Sequence, residues 1–247
     1  MKAQQFYISE ALRFFRLVLE KYGLQCVNED GYDPSLPCVF YGMYAEEDWV
    51  RIISHPTAKV LIWAGRDAYF IPNIERSRSL NCIHIAISAW IEKRLERMGF
   101  EPRRINLVTT DIDFWKECPL GDKVYAYAPS GFYKDFLVDE LAQEMPFEFI
   151  ITRKCTDYTK EELRKLYEQC FVGLRLVNWD GCPATVTELG LMGRRCVWNG
   201  DTPNALRCTD KESIMRSVLS EANRKQNKGL HKSMMEYLTF DTNWLEI

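Results

Sequence analysis

Two carboxylates, Asp180 and Glu188, bracket a stretch that leaves an apolar run and enters a helical pattern: Asp180-Gly181-Cys182-Pro183-Ala184-Thr185-Val186-Thr187-Glu188. Backbone amides at the start of a helix have no intrahelical partner and lie at the positive end of its dipole. Ala184, Thr185 and Val186 could therefore offer amides to a diphosphate. An acid inside the helix, Glu188, could accept from a vicinal diol such as the hydroxyls of a ribose. As bare spacing, the same pattern also fits an ordinary capped helix. Two further clusters end apolar runs, Gly42-Met43-Tyr44 and Gly65-Arg66-Asp67-Ala68. Gly42, Tyr44, Arg66 and Asp67 are thereby placed to line a binding wall, although Arg66 and Asp67 also read as a turn with a surface ion pair. Asp111-Ile112-Asp113 spaces two acids as a divalent cation would need. It lies in a polar stretch before Phe114 and Trp115, where turn chemistry accounts for it, and no metal site is expected. His55 and His84 read as structural. With three histidines in the chain, neither a Ser–His–Asp nor a Cys–His arrangement can be argued.

The elements that must hold these groups recur as strand, loop and helix in both halves. In the first half, Leu12 to Tyr22 keeps helical spacing and stops at Gly23, and Cys38–Met43 reads as a buried strand. Three acids, Glu46-Glu47-Asp48, precede the helical stretch Trp49–Ile53, as the helix dipole favours. Val60–Gly65 and Ile83–Ile87 are further strands. Ser88 can cap a helix over Ala89–Met98 closed by Gly99, and Ile105–Val108 completes the half. Residues 109–122 read as a polar connection. Strands over Val124–Ala128, Phe147–Ile151, Phe171–Val177 and Cys196–Trp198 follow, with helices over Tyr133–Glu144, from Thr159 onward, Thr185–Met192 and Asp210–Glu221. Thr159…Glu162 and Thr209…Glu212 have capping-box spacing. Short strands alternating with longer helices predict parallel sheets covered on both faces. The expected fold class is α/β: two Rossmann-like domains facing across a cleft, residues 1–120 and 121–247. Ligands would bind beyond the carboxyl ends of the strands. The apolar tail from Gly229, with Met234, Met235, Tyr237, Leu238, Trp244 and Leu245, is expected to form a helix packing back on the N-terminal half.

Composition narrows the classes. The 247 residues are 47% hydrophobic and 27% charged, which excludes a disordered or low-complexity chain. A net charge of −3 argues against a phosphate-backbone binder. No apolar run approaches the roughly 20 residues of a membrane span, and the first residues lack the apolar core of a signal peptide. Nine scattered cysteines, an odd number without CxxC, speak against a disulfide scaffold or a structural zinc site. A cytoplasmic location is expected.

The segment Gly173-Leu174-Arg175-Leu176 through Asp180-Gly181 and Thr185-Val186-Thr187-Glu188-Leu189-Gly190-Leu191-Met192-Gly193 to Cys196-Val197 resembles the donor-binding segment of family-4-type retaining glycosyltransferases. In that family an E-x7-E motif runs from an acid followed by Gly to an acid on a helix. The likeness covers the second half; the first half matches in strand–helix order, best around Ile85-Ala86-Ile87-Ser88. The resemblance implies a short form of the two-domain GT-B fold, with the donor held by the C-terminal domain and the acceptor by the N-terminal one. It implies transfer from a nucleotide-diphosphate sugar, UDP- or GDP-linked, to a glycan or glycoconjugate with retention of configuration and without a metal or other cofactor. Carried onto this sequence, Glu188 would bind the ribose and Asp180 would stand near the transferred sugar. Gly181, Cys182, Ala184, Thr185 and Val186 would border the diphosphate, and Lys134 matches the family's phosphate-binding lysine. Asp180 replaces the family's first Glu, and Pro129-Ser130-Gly131 replaces a Gly-Arg pair, so Arg153, Lys154 or Arg175 would supply the missing cation. Two alternatives use the same residues. A glucosyltransferase acting on nucleic-acid bases is disfavoured by the acidic balance, and an inactive nucleotide-sugar-binding module remains consistent with the short first half. A dinucleotide oxidoreductase lacks its GxGxxG.

Overall fold

Strands separated by helices cannot pair as hairpins, so the chain must cross over and lay its strands parallel. A computed structural model of the chain, which describes residues 3–154 and 157–238, has two such sheets. They belong to two units: residues 3–110 with Asp180–Cys182 and Leu238, and Asp111–Trp179 with Pro183–Tyr237. Residues 111–120 therefore lie with the second unit, whereas the sequence pattern assigns them to the first half. Hydrogen bonds explain this, because the guanidinium of Arg194 donates to the Cys118 and Pro119 carbonyls and that of Arg164 to Phe114.

In the first unit the strands are β1 (Gln5–Ile8), β2 (Cys26–Val27), β3 (Cys38–Tyr41), β4 (Lys59–Trp63), β5 (Ile83–Ala86) and β6 (Arg103–Arg104). All pair in parallel, in the order β2-β1-β3-β4-β5-β6. Helices α1 (Arg16–Lys21), α2 (Glu46–Ser54), α3 (Ile71–Arg78) and α4 (Ala89–Arg97) connect them. Ser88 caps α4 as expected, accepting from the Ile91 amide at 3.3 Å. The expected strand over Ile105–Val108 is displaced, since pairing with β5 falls on Arg103 and Arg104.

The second unit repeats the winding with β7 (Lys123–Tyr127), β8 (Phe149–Thr152), β9 (Cys170–Leu174), β10 (Arg195–Val197) and β11 (Ala205–Leu206). Its order, β11-β10-β9-β7-β8, places the second strand beside the first and the third on the other side, as in the first sheet. The strand order of each sheet thus reverses between its first and third strands, the kind of position at which such sheets bind ligands. Helices α5 (Asp135–Glu144), α6 (Lys160–Glu168), α7 (Ala184–Leu191), α8 (Lys211–Ala222) and α9 (Leu230–Tyr237) complete the unit. Thr159 and Glu162 form the expected capping box. At α8 the box runs instead from Asp210 to Ser213.

The seating of α7 depends on small residues. A side chain at Gly173 on β9 would collide with Leu189, and one at Gly190 would meet Met234 and Asn204 within 2.9 Å. The helix therefore lies directly on the sheet with α9 on its other side, and nearly all of it is buried. The C-terminal helix differs from expectation here: Leu230–Tyr237 packs on α7 of its own unit through the fully buried Met234. Trp244 and Leu245 lie outside the described residues, as does Cys155. Among the described residues all eight cysteines are free, and no helix is long and apolar enough to cross a membrane.

Candidate functional site

The loop from β7 into α5 carries the first expected cation. Lys134 sits one residue before α5 at φ 51°, ψ 46°, and is the one non-glycine residue with positive φ among those described. Holding an L side chain in this left-handed region costs roughly 1–2 kcal/mol, and such strain gathers where a group must be aimed. The second cation, Arg175, follows β9. Its backbone amide donates to Val197 at 2.9 Å. Its guanidinium lies 4.8 Å from the centre of the Tyr127 ring and 4.6 Å from that of Tyr133. Held between two rings and 7% exposed, it is fixed in place by cation–π attraction. Lys134 and Arg175 line one pocket at the reversal point of the second sheet, floored by Leu176, Val177 and Val197. The structure thus brings together two cations from separate loops. Among the described residues Lys134 has no carboxylate partner.

The other two candidate cations do not line this pocket. Arg153 donates to the Ala128 carbonyl at 2.9 Å and pairs with Asp139 at 2.5 Å, so it braces the β7–α5 loop from outside. Lys154 is exposed. Lys211, which lines the same pocket, is engaged by Glu140 and Glu144, both at 2.6 Å.

Glu188 projects from α7 and accepts from the hydroxyl of Tyr167 at 3.1 Å. Tyr167 is fully buried, packed edge-on against Tyr125 at 4.8 Å and tilted against Trp115 at 5.4 Å. A rigid aromatic group, which sequence reasoning did not single out, therefore orients this carboxylate. At the helix start, the Val186 amide already donates to the Pro183 carbonyl at 3.0 Å. The α7 amides ahead of that bond are those of Ala184 and Thr185, so Val186 is occupied within the chain. Asp180, Gly181 and Cys182 belong with the first unit. A side chain at Gly181 would strike the Ala64 carbonyl, Ser88 donates to the Asp180 carbonyl at 3.4 Å, and the Gly181 amide donates to the Asp180 carboxylate at 2.8 Å. Cys182 is buried in the first core.

Of the acceptor-side residues, Tyr44, Arg66 and Asp67 line a groove of the first unit, about 520 Å³ in volume, together with Trp49, Phe70 and Arg76, and Gly42 does not. That volume lies within the range of small-molecule sites. Arg66 is exposed there. Asp67 is not the surface acid expected of it, because its carboxylate is buried and accepts from four backbone amides. Gly65 donates at 2.8 Å, Ala68 at 3.0 Å, Ala64 at 3.1 Å and Met43 at 3.3 Å. Burial nevertheless dominates and pushes its pKa up to about 6. Asp67 therefore holds two loops in register at the wall of this groove. Gly42, at φ 79°, has no room for a side chain beside Leu12 and Tyr44, so it too acts through shape. Asp48 was expected only as a first-turn acid. It is buried and accepts from Ser9 at 2.8 Å and from the Tyr44 and Ala45 amides at 2.9 Å, tying together the loops that leave β1 and β3.

The remaining candidates are built into the scaffold. Asp111 accepts from the Asp113 amide at 3.1 Å within a turn. His55 hydrogen-bonds to Tyr32 at 2.6 Å and Thr57 at 2.8 Å. His84 meets the Trp63 indole at 3.0 Å, and burial lowers its pKa to about 4.

No family model matches the chain, and no curated protein does. Solved structures do match. The chain is similar to HepE from Anabaena in complex with UDP and glucose, at 12% identity and a TM-score of 0.63, over 98% of this chain and 97% of that one. It is similar to TarM of S. aureus at 12% identity and a TM-score of 0.61, over 85% of this chain. A third match is the sucrose-phosphate synthase of Thermosynechococcus elongatus, at 11% identity and 0.57, over 93% of this chain and 73% of that one. The chain spans about half the length of TarM, covering 53% of it. These neighbours are glycosyltransferases of the GT-B fold, and two parallel-sheet α/β units of six and five strands give this chain the same fold.

Proposed function

We propose that the chain transfers a sugar from a nucleotide-diphosphate sugar to a carbohydrate-type acceptor, with retention of configuration and without a metal ion. The observation that carries this is the convergence of Lys134 and Arg175 on one pocket at the reversal point of the second sheet. Two cations from separate loops suit a diphosphate whose negative charge grows as the glycosidic bond breaks. UDP in the HepE complex and in one of the TarM complexes favours a uridine donor over a guanosine one. Glu188, oriented by Tyr167, accepts from the ribose hydroxyls. The Ala184 and Thr185 amides face the diphosphate, and Asp180 stands by the transferred sugar. Arg66 and Tyr44 contact the acceptor, with Asp67 and Gly42 shaping their loops.

In this mechanism the bond between the anomeric carbon and the diphosphate oxygen breaks while the acceptor hydroxyl attacks from the same face. The departing oxygen takes the acceptor proton. Lys134 and Arg175 stabilise the charge on the diphosphate and thereby lower the barrier.

A panel of UDP-, GDP-, ADP- and dTDP-sugars tests the reading by melting temperature and by sugar release, because a bound donor stabilises the folded state by mass action. A UDP-sugar should raise the melting temperature and be turned over in EDTA, and NMR of the product should show the donor's anomeric configuration. Stabilisation without turnover on any acceptor would identify a binding module. An inverted centre would overturn retention, and a complete Mn2+-reversible loss in EDTA would overturn metal independence.

A further inference from the structure

We propose that the second unit carries a second anion site, distinct from the donor pocket and built for a hydroxyl-bearing phosphate ester. The run Arg224-Lys225-Gln226-Asn227-Lys228 joins α8 to α9 and looks in the sequence like a solvated helix end. In the structure part of it walls a groove of about 490 Å³ with Arg195 and Ser233. Arg195 opens β10, whereas the donor pocket touches Val197 and Trp198 at the other end of that strand, so the two sites lie at opposite ends of β10.

Three features make this groove more than a charged surface. First, it is fixed. Asn227 is 5% exposed and donates to the Gly193 carbonyl at 3.1 Å, and its own carbonyl accepts from the Leu230 amide at 3.1 Å, so the loop is pinned under the start of α9. Second, its charge is not cancelled. Arg224 shares its charge with Glu221 at 2.8 Å, and Glu117 accepts from Gln226 at 3.4 Å. Among the described residues Arg195 and Lys228 have no carboxylate partner, and the first turn of α9 carries no acid to offset its dipole. Third, two buried polar atoms there have no hydrogen-bond partner among the described residues: Nε of Arg195, a donor, and Oδ1 of Asn227, an acceptor. Buried groups of this kind are ordinarily satisfied. A phosphate ester with a free hydroxyl carries the complementary pair, an oxygen to accept from the arginine and a hydroxyl to donate to the amide oxygen. Such chemistry belongs to soluble sugar or glycerol phosphates and to phospholipid headgroups.

Calorimetry on the full chain with glycerol 3-phosphate, in saturating UDP, tests the site independently of the donor assignment. Co-sedimentation with phosphatidylcholine vesicles, with and without phosphatidylglycerol, separates the two sources. One equivalent of glycerol 3-phosphate should bind beside UDP, or the chain should sediment only with phosphatidylglycerol vesicles. Either result should weaken about tenfold or more in Arg195→Ala and in Lys228→Glu, as expected when one charge-assisted contact is lost. UDP affinity should remain unchanged in both variants. Binding that UDP abolishes, binding indifferent to Lys228→Glu, or no binding to either probe would overturn the proposal. Lys228 is exposed, so its substitution tests charge without disturbing the fold.

Discussion

Replacing Tyr167 with Phe removes one oxygen and leaves the ring. The contacts with Tyr125 and Trp115 survive, while the 3.1 Å hydrogen bond to Glu188 is lost. A hydrogen bond to a charged group contributes about 1.5–3 kcal/mol. Glu188 is only partly buried, so water recovers a share of that, and a net loss of about 1 kcal/mol is expected in urea unfolding. Nucleotide binding should suffer similarly, since a carboxylate free to rotate must be re-ordered each time it meets a diol. A loss of about 1–1.4 kcal/mol corresponds to a rise of roughly five- to tenfold in the Kd for UDP. Glu188→Gln should cost about 1–3 kcal/mol in the same titration. Because the tyrosine acts through the carboxylate, the double variant should be little worse than Glu188→Gln alone. Isothermal calorimetry with UDP and with its 2′-deoxy analogue provides the assay. The penalty should shrink with the analogue, which lacks half of the diol. Equal penalties for both nucleotides, or additive effects in the double variant, would refute the assignment of Glu188 to the ribose.

Three further outcomes follow from the geometry. Lys134→Gly should relieve the left-handed strain and raise stability by about 1 kcal/mol, yet cut turnover by ~10²–10³ by removing a preorganised cation; unchanged kcat would remove Lys134 from the phosphate site. Arg194 is fully buried and donates to the carbonyls of Cys118, Pro119, Glu168, Cys170 and Met192. Arg194→Lys cannot serve them all and should cost about 3–5 kcal/mol in urea, whereas a cost below about 1 kcal/mol would show that the carbonyls find other partners. Asp67, with its pKa raised to about 6 from 3.8, binds its proton more tightly folded than unfolded. Its contribution is therefore fully present below about pH 4 and lost as pH rises through 6, by about 3 kcal/mol. Unfolding of wild type and Asp67→Asn between pH 4 and 7 should show that slope only in the wild type; parallel slopes would contradict it.

Much of the fold was legible because strand and helix periods differ along the chain. Cys38–Tyr41, Lys59–Trp63, Ile83–Ala86 and Lys123–Tyr127 are short apolar runs bounded by turn residues or helices, and all are strands. The first strand, Gln5–Ile8, gave no such signal because it begins with a glutamine and follows a polar start. Helix Ile71–Arg78 was hidden by Pro72, which breaks helices in their interior but is tolerated at their start. The strands of two residues, such as Cys26–Val27 and Ala205–Leu206, carry no period at all. At the site, local pattern marked α7 and its acid, while Lys134 came from the family resemblance alone. It could not show that Arg175 would lie between Tyr127 and Tyr133, nor that Tyr167 would reach Glu188, because those contacts are made by strand order. Asp67 illustrates the opposite error. Beside Arg66 it looked like half of an ion pair, but ringed by amides and buried it is a tie between loops.

The central claim is that the pocket holding Lys134 and Arg175 receives the diphosphate of a nucleotide sugar. Calorimetric titration of UDP into the wild type and into Arg175→Gln tests it most directly. The wild type should bind one UDP, and Arg175→Gln should bind it at least roughly tenfold more weakly, the loss of one charge-assisted contact. No UDP binding by the wild type, or equal affinity in the two proteins, would contradict it.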